Sequence, residues 1–388
     1  MVELARPFRF NERKRVINNF ARFDEDELDI HAKESVFKAA PSVVCLRSYS
    51  DNKQLFICCG IIVDCESRSG TYIATILTSA TLLQCSHAVE LASDLKIDVY
   101  MVGGKSVEGK AVAVDFHYNI GIVEINSDAP FLLPTIKLVD DTMDLDMSLP
   151  ELLNNRDSVT SSNRTRLYPG DKVFALGRFF EDPYDIMAAS GKVSLGGCGF
   201  DCVELFKASC TIKKNGIGGP LINVNGEIIG INFYEPSFTP FLPMNIVWKC
   251  YNDLKSHRRP SRPWFGAVVS DFYASYLHKL ENVWNKFPHA VKGAIVNKVL
   301  PDSPAQSAGL SVDDVIVYCC GTPVGSLLKL TEMMWDMEGM PIELVVLRPS
   351  SGEELKLVVD AVMASPTEFR WPVPEPVILR RNYYGQAY

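Results

Sequence analysis

The chain has no apolar run of transmembrane length, no cysteine spacing that reads as a disulfide framework, and no excess of positive charge. Each absence excludes a class. A membrane-spanning helix needs about 20 consecutive apolar residues, so no membrane partner is expected. The opening stretch MVELARPFRFNERKRVINNF lacks the continuous apolar core of a secretory leader, and Glu3, Glu12 and the following DEDELD make it too mixed in charge for a transit peptide. The eleven cysteines are odd in number and scattered, apart from the pairs Cys58-Cys59 and Cys319-Cys320. That usage suits a reducing compartment, cytoplasm or nucleus, rather than a stapled secreted scaffold. A net charge of -8 argues against holding nucleic acid by charge. Paired metal-ligand spacings are missing too. Cys45, Cys58, Cys59, Cys65, Cys85 and His87 cluster in the sequence, but adjacent cysteines make poor joint ligands of one tetrahedral ion. Buried thiols in strands explain the cluster, so no metal and no cofactor are expected.

What is present is an ordinary globular composition, 47% hydrophobic and 22% charged, over 388 residues, enough for two or three domains. Residues 1–40 are charged and read as a short helix with a connector. From Pro41 the texture changes to short segments rich in Val and Ile, broken by turn residues: SVVCLRSYS, QLFICCGIIVD, TYIATILTSA, KIDVYMV, AVAVDF and IGIVEI. Residues 141–168 are polar and read as a linker or surface loop. The strand texture then resumes with GDKVFALGRFF, ASGKVSLGG, CVELFKASCTI, GGPLINV and GEIIGINFY, closing on FLPMNIVWKCYNDL, which ends as a helix. Two runs of about six strands without long helices between them predict two antiparallel β-barrels over 41–255. A third unit, 262–362, combines strands with one helix in SLLKLTEMMWDMEG, whose apolar stripe Leu327, Leu328, Leu330, Met333, Met334 and Trp335 reads as core. The tail 363–388 is Pro-rich and predicted to be extended.

Taken in order, these landmarks resemble the HtrA/Deg (protease Do-like) family, a chymotrypsin-like double six-stranded β-barrel followed by a PDZ-like α+β domain. The resemblance covers residues 40 to 360. It rests on ILTSATLL at Ile76 to Leu83, HYNIGIVEI at His117 to Ile125, GDKVFALG at Gly170 to Gly177, SGKVS at Ser190 to Ser194, and above all NGIGGPLINVNGEIIGIN from Asn215. In the family those segments carry the catalytic His, the Asp and the nucleophile loop. Here the resemblance sets Thr81 in the place of the general base, Asn119 in that of the orienting carboxylate, and Ile217 in that of the Ser.

Acyl transfer by such a triad needs a hydroxyl, an imidazole that takes its proton, and a carboxylate that fixes the imidazole. With all three replaced, no catalytic residue is expected. Asn215, Gly216, Gly218 and Gly219 are then a vestigial oxyanion loop, kept because only small residues allow the backbone approach this turn makes. The rival reading is an active peptidase with a displaced site: Cys210 as a thiol nucleophile, or His87 or His117 brought in by a register shift, with Asp115 near the acid position. The bland reading of these residues is a buried structural thiol and turn histidines.

The PDZ-like unit is the better candidate for an active surface. Its family binds extended C-terminal peptides by adding a strand to a sheet edge. By resemblance, WFGAVV supplies the carboxylate turn and strand, with Phe265, Gly266, Ala267 and Val268 as ligand contacts, and PDSPAQSAGL the mid-domain turn. The implied protein is a pseudoprotease, of the triad-poor kind plants carry in number, binding proteins or C-terminal peptides or acting as a regulatory scaffold. A PDZ-like unit used only for packing is the alternative. Family members are commonly trimers built through N-terminal segments, for which Phe8 and Phe10 are candidates. A mixed assembly with active Deg proteases is the other implied arrangement.

Overall fold

The fold was read from a computed structural model, which describes residues 28–68, 70–85, 90–128, 167–194, 198, 202, 204–257, 263–289, 292–337, 339–360 and 362–363. Phe8, Phe10, His87, the greater part of the expected 141–168 linker and nearly all of the tail lie outside the described residues. The chain begins with α1 (Ile30–Ala39), whose N-terminus is capped by the Asp29 carboxylate accepting from the Ala32 amide at 2.7 Å. Then come β1 (Val43–Ser50), β2 (Lys53–Arg68), β3 (Thr71–Ser79), β4 (Lys96–Tyr100), β5 (Ser106–Asp115) and β6 (Ile120–Ser127). They close antiparallel in the order β1-β2-β3-β6-β5-β4. Alternating apolar residues such as Leu46, Ile62, Ile76, Val99 and Val123 fill the interior.

The second barrel repeats the plan with β7 (Lys172–Arg178), β8 (Ile186–Ser194), β9 (Phe206–Ala208), β10 (Pro220–Asn223), β11 (Ile228–Asn232) and β12 (Thr239–Pro243), closed as β10-β11-β12-β9-β8-β7. Of the strand expected in CVELFKASCTI only three residues pair as β9. The rest bends away, and Cys210 is left wholly buried with its carbonyl accepting from the Thr239 hydroxyl at 2.7 Å. The helix α2 (Met244–His257) follows directly, burying Ile246, Val247, Cys250 and Leu254 against the barrels.

The third unit is an α+β sheet of PDZ-like form. A two-residue strand β13 (Pro263–Trp264) leads to β14 (Ala267–Asp271), the helix α3 (Leu277–Lys286), β15 (Ala294–Val299), the short helix α4 (Pro304–Ser307), β16 (Val315–Cys319), β17 (Thr322–Pro323), the helix α5 (Leu327–Asp336), β18 (Pro341–Arg348), β19 (Glu353–Asp360) and β20 (Val362–Met363). The main sheet runs β14-β15-β16-β18-β19, with β17 on β16 and a separate β13-β20 ladder. Thus β14 is an edge strand. The apolar stripe of α5 is core, as its spacing predicted, but divided: Leu327, Leu330 and Met334 join the sheet's own core, while Leu328 and Trp335 join the cluster that runs through both barrels and α2. No helix among the described residues is long and apolar enough to cross a membrane, and no disulfide joins the cysteines among them.

One polar group holds the barrels together. Arg178, at the end of β7, is 1% exposed and donates to three backbone carbonyls: Val43 at 2.5 Å, Tyr184 at 2.7 Å and Ala40 at 2.6 Å. These acceptors come from the entrance to the first barrel and from the β7–β8 turn, so one guanidinium satisfies the carbonyls of two units. Arg178→Met would keep most of the volume but leave three buried acceptors without a donor. It is expected to destabilise the barrels by about 3–5 kcal/mol, read as a lower urea midpoint with an unchanged m-value.

Candidate functional site

The cleft between the barrels brings together the three positions on which catalysis would turn. Thr81 sits in a 3-10 turn, Ala80–Leu83, that continues β3. Asn119 precedes β6 with φ of 55°, a left-handed conformation that Asn tolerates better than most residues. Its Oδ1 accepts from the Ser79 hydroxyl at 2.8 Å, the Thr81 amide at 3.0 Å and the Thr81 hydroxyl at 3.4 Å. Its carbonyl takes the Ala80 amide at 3.0 Å. Asn119 therefore works as a cap that pins the 3-10 turn to the root of β6. Neither a threonine hydroxyl nor a carboxamide changes protonation near neutral pH, so the pair can orient groups but cannot shuttle a proton.

Opposite them, residues Lys214–Gly216 form another 3-10 turn that ends on Ile217. The Ile217 side chain is half-buried and packs on the apolar core of the first barrel. Its carbonyl accepts from the Cys59 amide at 2.7 Å. An oxyanion site requires N–H groups aimed at the developing charge. Here the amides of Gly216, Ile217, Gly218 and Gly219 donate instead to the carbonyls of Lys213 (2.9 Å), Lys214 (3.3 Å), Asn232 (2.8 Å) and Gly216 (3.1 Å). The turn is formed, and those four donors are engaged within the protein.

Why the glycines are needed is clear at one of them. Gly218 has φ of 77°, and a β-carbon there would stand 2.3 Å from the Cys59 carbonyl oxygen. The two cysteines nearest this chemistry are structural. Cys59 donates its thiol to the Asn215 carbonyl at 2.9 Å and accepts from the Arg178 amide at 3.1 Å. Burial pushes both the Cys59 and the Cys210 thiols up to about 12, far from a thiolate at neutral pH. His117 lies in the β5–β6 turn with its ring edge-on to Tyr118, and Asp115, at the end of β5, accepts the backbone amides of His117 (2.7 Å) and Tyr118 (3.1 Å).

The second predicted surface lies along β14. Phe265 is buried in the third unit's core, Gly266 turns with φ of 83°, Ala267 is half-buried and Val268 is exposed. A β-carbon on Gly266 would meet Ser303 Cβ at 2.1 Å, because the cap of α4 folds over this turn. The far end of β14 is tied to α5, whose Leu327 amide donates to Asp271 Oδ1 at 2.7 Å. The four residues named from the sequence thus share one sheet edge, opening beside a helix that is fixed at its N-terminus. Sequence reading missed α3, whose exposed Tyr276, Leu277 and Trp284 obscure its single buried apolar residue, Val283.

Comparison with known proteins agrees with this architecture. A trypsin-like peptidase domain is matched over residues 59–231. The chain is 30% identical over 319 residues to the Putative protease Do-like 14 of Arabidopsis thaliana, covering 79% of this chain and 67% of that protein. It is 26% identical over 296 residues to a probable periplasmic serine endoprotease, DegP-like, of Pseudomonas fulva, covering 73% of this chain but only 54% of the bacterial one. A solved structure described as the HtrA-type protease AlgW with tripeptide superposes with a TM-score of 0.55 at 19% identity, over 87% of this chain and 98% of that one. At that identity the likeness speaks for the fold.

Two outcomes follow. Gly218→Ala is expected to cost about 2–4 kcal/mol, since it adds a backbone clash to a left-handed residue, whereas Gly170→Ala costs only the conformational part, about 1–2 kcal/mol; at Gly170, φ is 94° and nothing lies within 4 Å of an added β-carbon. Denaturant titration of the two variants reads the difference. Iodoacetamide at pH 8 is expected to label the exposed Cys320 and spare Cys59 and Cys210 in the folded chain, as peptide mass mapping would report.

Proposed function

The chain belongs to the Do-like (HtrA/Deg) family of trypsin-like serine proteases, and from that premise we propose that it is a member that binds peptides without cleaving them. The observation that carries this reading is the content of the cleft. Where the family's chemistry needs a nucleophile, a base and an acid, this chain has a half-buried apolar side chain packed against a barrel core and a hydrogen-bonded Thr81–Asn119 pair. In triad enzymes the loss of one member costs on the order of 10⁴ to 10⁶ in rate. Loss of all three, with four turn amides internally engaged, leaves nothing to activate or stabilise a tetrahedral intermediate.

Binding then falls to the β14 edge. An extended segment of a partner protein, or its C-terminus, would add antiparallel to β14 beside α5, with its carboxylate at the Phe265–Gly266 turn and side chains beside Ala267 and Val268. The AlgW structure holds a tripeptide, which is support by kinship for a peptide ligand here. The matched bacterial relative is about twice as long as the region it shares with this chain. Partners and assembly, whether a trimer or a mixed oligomer with active Deg proteases, are therefore part of the proposal.

Purified chain incubated with casein is expected to release no peptides above a protein-free control. Cleavage abolished by Cys210→Ala would overturn the reading. A panel of fluorescent C-terminal peptides is expected to yield binders whose affinity falls at least about 10-fold in Val268→Glu, which sets a charge on an exposed position of β14, with circular dichroism unchanged. Equal affinity in that variant would remove the β14 edge as the site.

A further inference from the structure

The β5–β6 turn carries His117 to a place where it meets Cys202 and Glu204, from the segment that leads into β9 of the other barrel. One nitrogen, one sulfur and one carboxylate oxygen from these side chains all lie within 4.8 Å of one another. Cys202 is 3% and Glu204 8% exposed, and His117 is half-buried. We infer that this cluster is a binding site for a transition-metal dication, Zn²⁺ by the chemistry of its donors, with one imidazole, one thiolate and one carboxylate as ligands.

The donor set argues for zinc over the hard cations. Calcium and magnesium take oxygen ligands, whereas a mixed nitrogen, sulfur and oxygen set is what zinc accepts. The geometry is close to what the ion requires. Zn–S and Zn–O bonds of about 2.3 and 2.0–2.2 Å at the tetrahedral angle hold sulfur and oxygen about 3.5–3.7 Å apart. Cys202 Sγ and Glu204 Oε2 stand 3.4 Å apart. The imidazole lies within 4.8 Å of the other two ligand atoms, so on the same bond lengths it has to close in by at most about 1.5 Å.

The groups around the cluster behave as supports. Asp115 accepts the backbone amides of His117 and Tyr118 and so fixes the turn that presents the imidazole. The Tyr118 hydroxyl donates to Glu204 Oε1 at 3.3 Å, leaving Oε2 toward the thiol. Hydrogen bonds of this kind orient ligands in metal sites and tune them. Three protein ligands leave one tetrahedral position for water or a ligand from solution.

The site's place in the fold gives it a consequence beyond local stability. His117 belongs to the first barrel and Cys202 and Glu204 to the second, while Tyr118 stacks on Trp335 of α5, with ring centroids 5.7 Å apart and planes 18° from parallel. Bound zinc would tie the two barrels at the point where the third unit rests on them.

The test uses the full chain, stripped with a chelator and titrated with Zn²⁺ alone by calorimetry. The expected result is one ion per chain, with affinity at least about 100-fold weaker in Cys202→Ser and in His117→Ala and unchanged in Cys320→Ser, an exposed thiol elsewhere. Co²⁺ in place of zinc should give a near-ultraviolet thiolate charge-transfer band that Cys202→Ser lacks. Glu204→Gln keeps the shape of the site and serves should the cysteine variant not fold; it too should weaken binding at least about 10-fold. No stoichiometric ion in the parent chain, or the same affinity in the His117, Cys202 and Glu204 variants as in the parent, overturns the assignment.

Discussion

The amide of Cys59 donates to the carbonyl of Ile217 across the seam of the two barrels, and the rest of the cleft is arranged around that contact. It can form only because Gly218 has no β-carbon to strike the Cys59 carbonyl. Once it forms, the turn from Lys214 to Gly219 is held against β2 and the end of β3, its amides are satisfied internally, and the Ile217 side chain is delivered to the first barrel's core. Cys59 adds a second tie through its thiol to Asn215, and the amide of Arg178 holds that thiol from the other side. This backbone approach requires the glycine whatever side chain the turn presents.

The joint to the third unit depends on α5 in a comparable way. Its one face completes the PDZ-like core and its other lies on α2, where Trp335 donates to Asp253 at 2.9 Å and Lys249 pairs with Asp336 at 2.5 Å. The Lys249–Asp336 pair is partly solvated and adds little. The indole, buried on its flat sides and bonded at its polar edge, is the stronger anchor. Because the same helix walls the proposed peptide groove, the groove's inner side is set by the barrel and not by the PDZ-like sheet alone.

Much of this was legible in the sequence, and the physical reason is period. Short alternating strands and the turn at Asn215 announce themselves locally, so both barrels, α2 and α5 are where the pattern puts them. The contact between Thr81 and Asn119 was implied only through kinship, since nothing in the spacing of residues 38 apart brings them together. Arg178 could not be read at all. A lone Arg at the end of GDKVFALGR looks like a solvated charge, and its burial depends on carbonyls at Ala40 and Val43 far along the chain. The same holds for His117, Cys202 and Glu204, separated by about 85 residues and joined only by barrel docking. Cys45, Cys58 and Cys59 are buried in strands, as the sequence pattern predicted, Cys45 and Cys58 as hydrophobes and Cys59 with its hydrogen bonds to Asn215 and Arg178 besides.

The divided face of α5 has an implication for how the molecule can be taken apart. Leu328 and Trp335 find their burial on another unit's surface, so a PDZ-like fragment cut free of the barrels would present both to water, on one face two turns apart. Such a fragment would carry an adhesive patch that the intact chain does not have, and its self-association would be a property of the cut rather than of the protein.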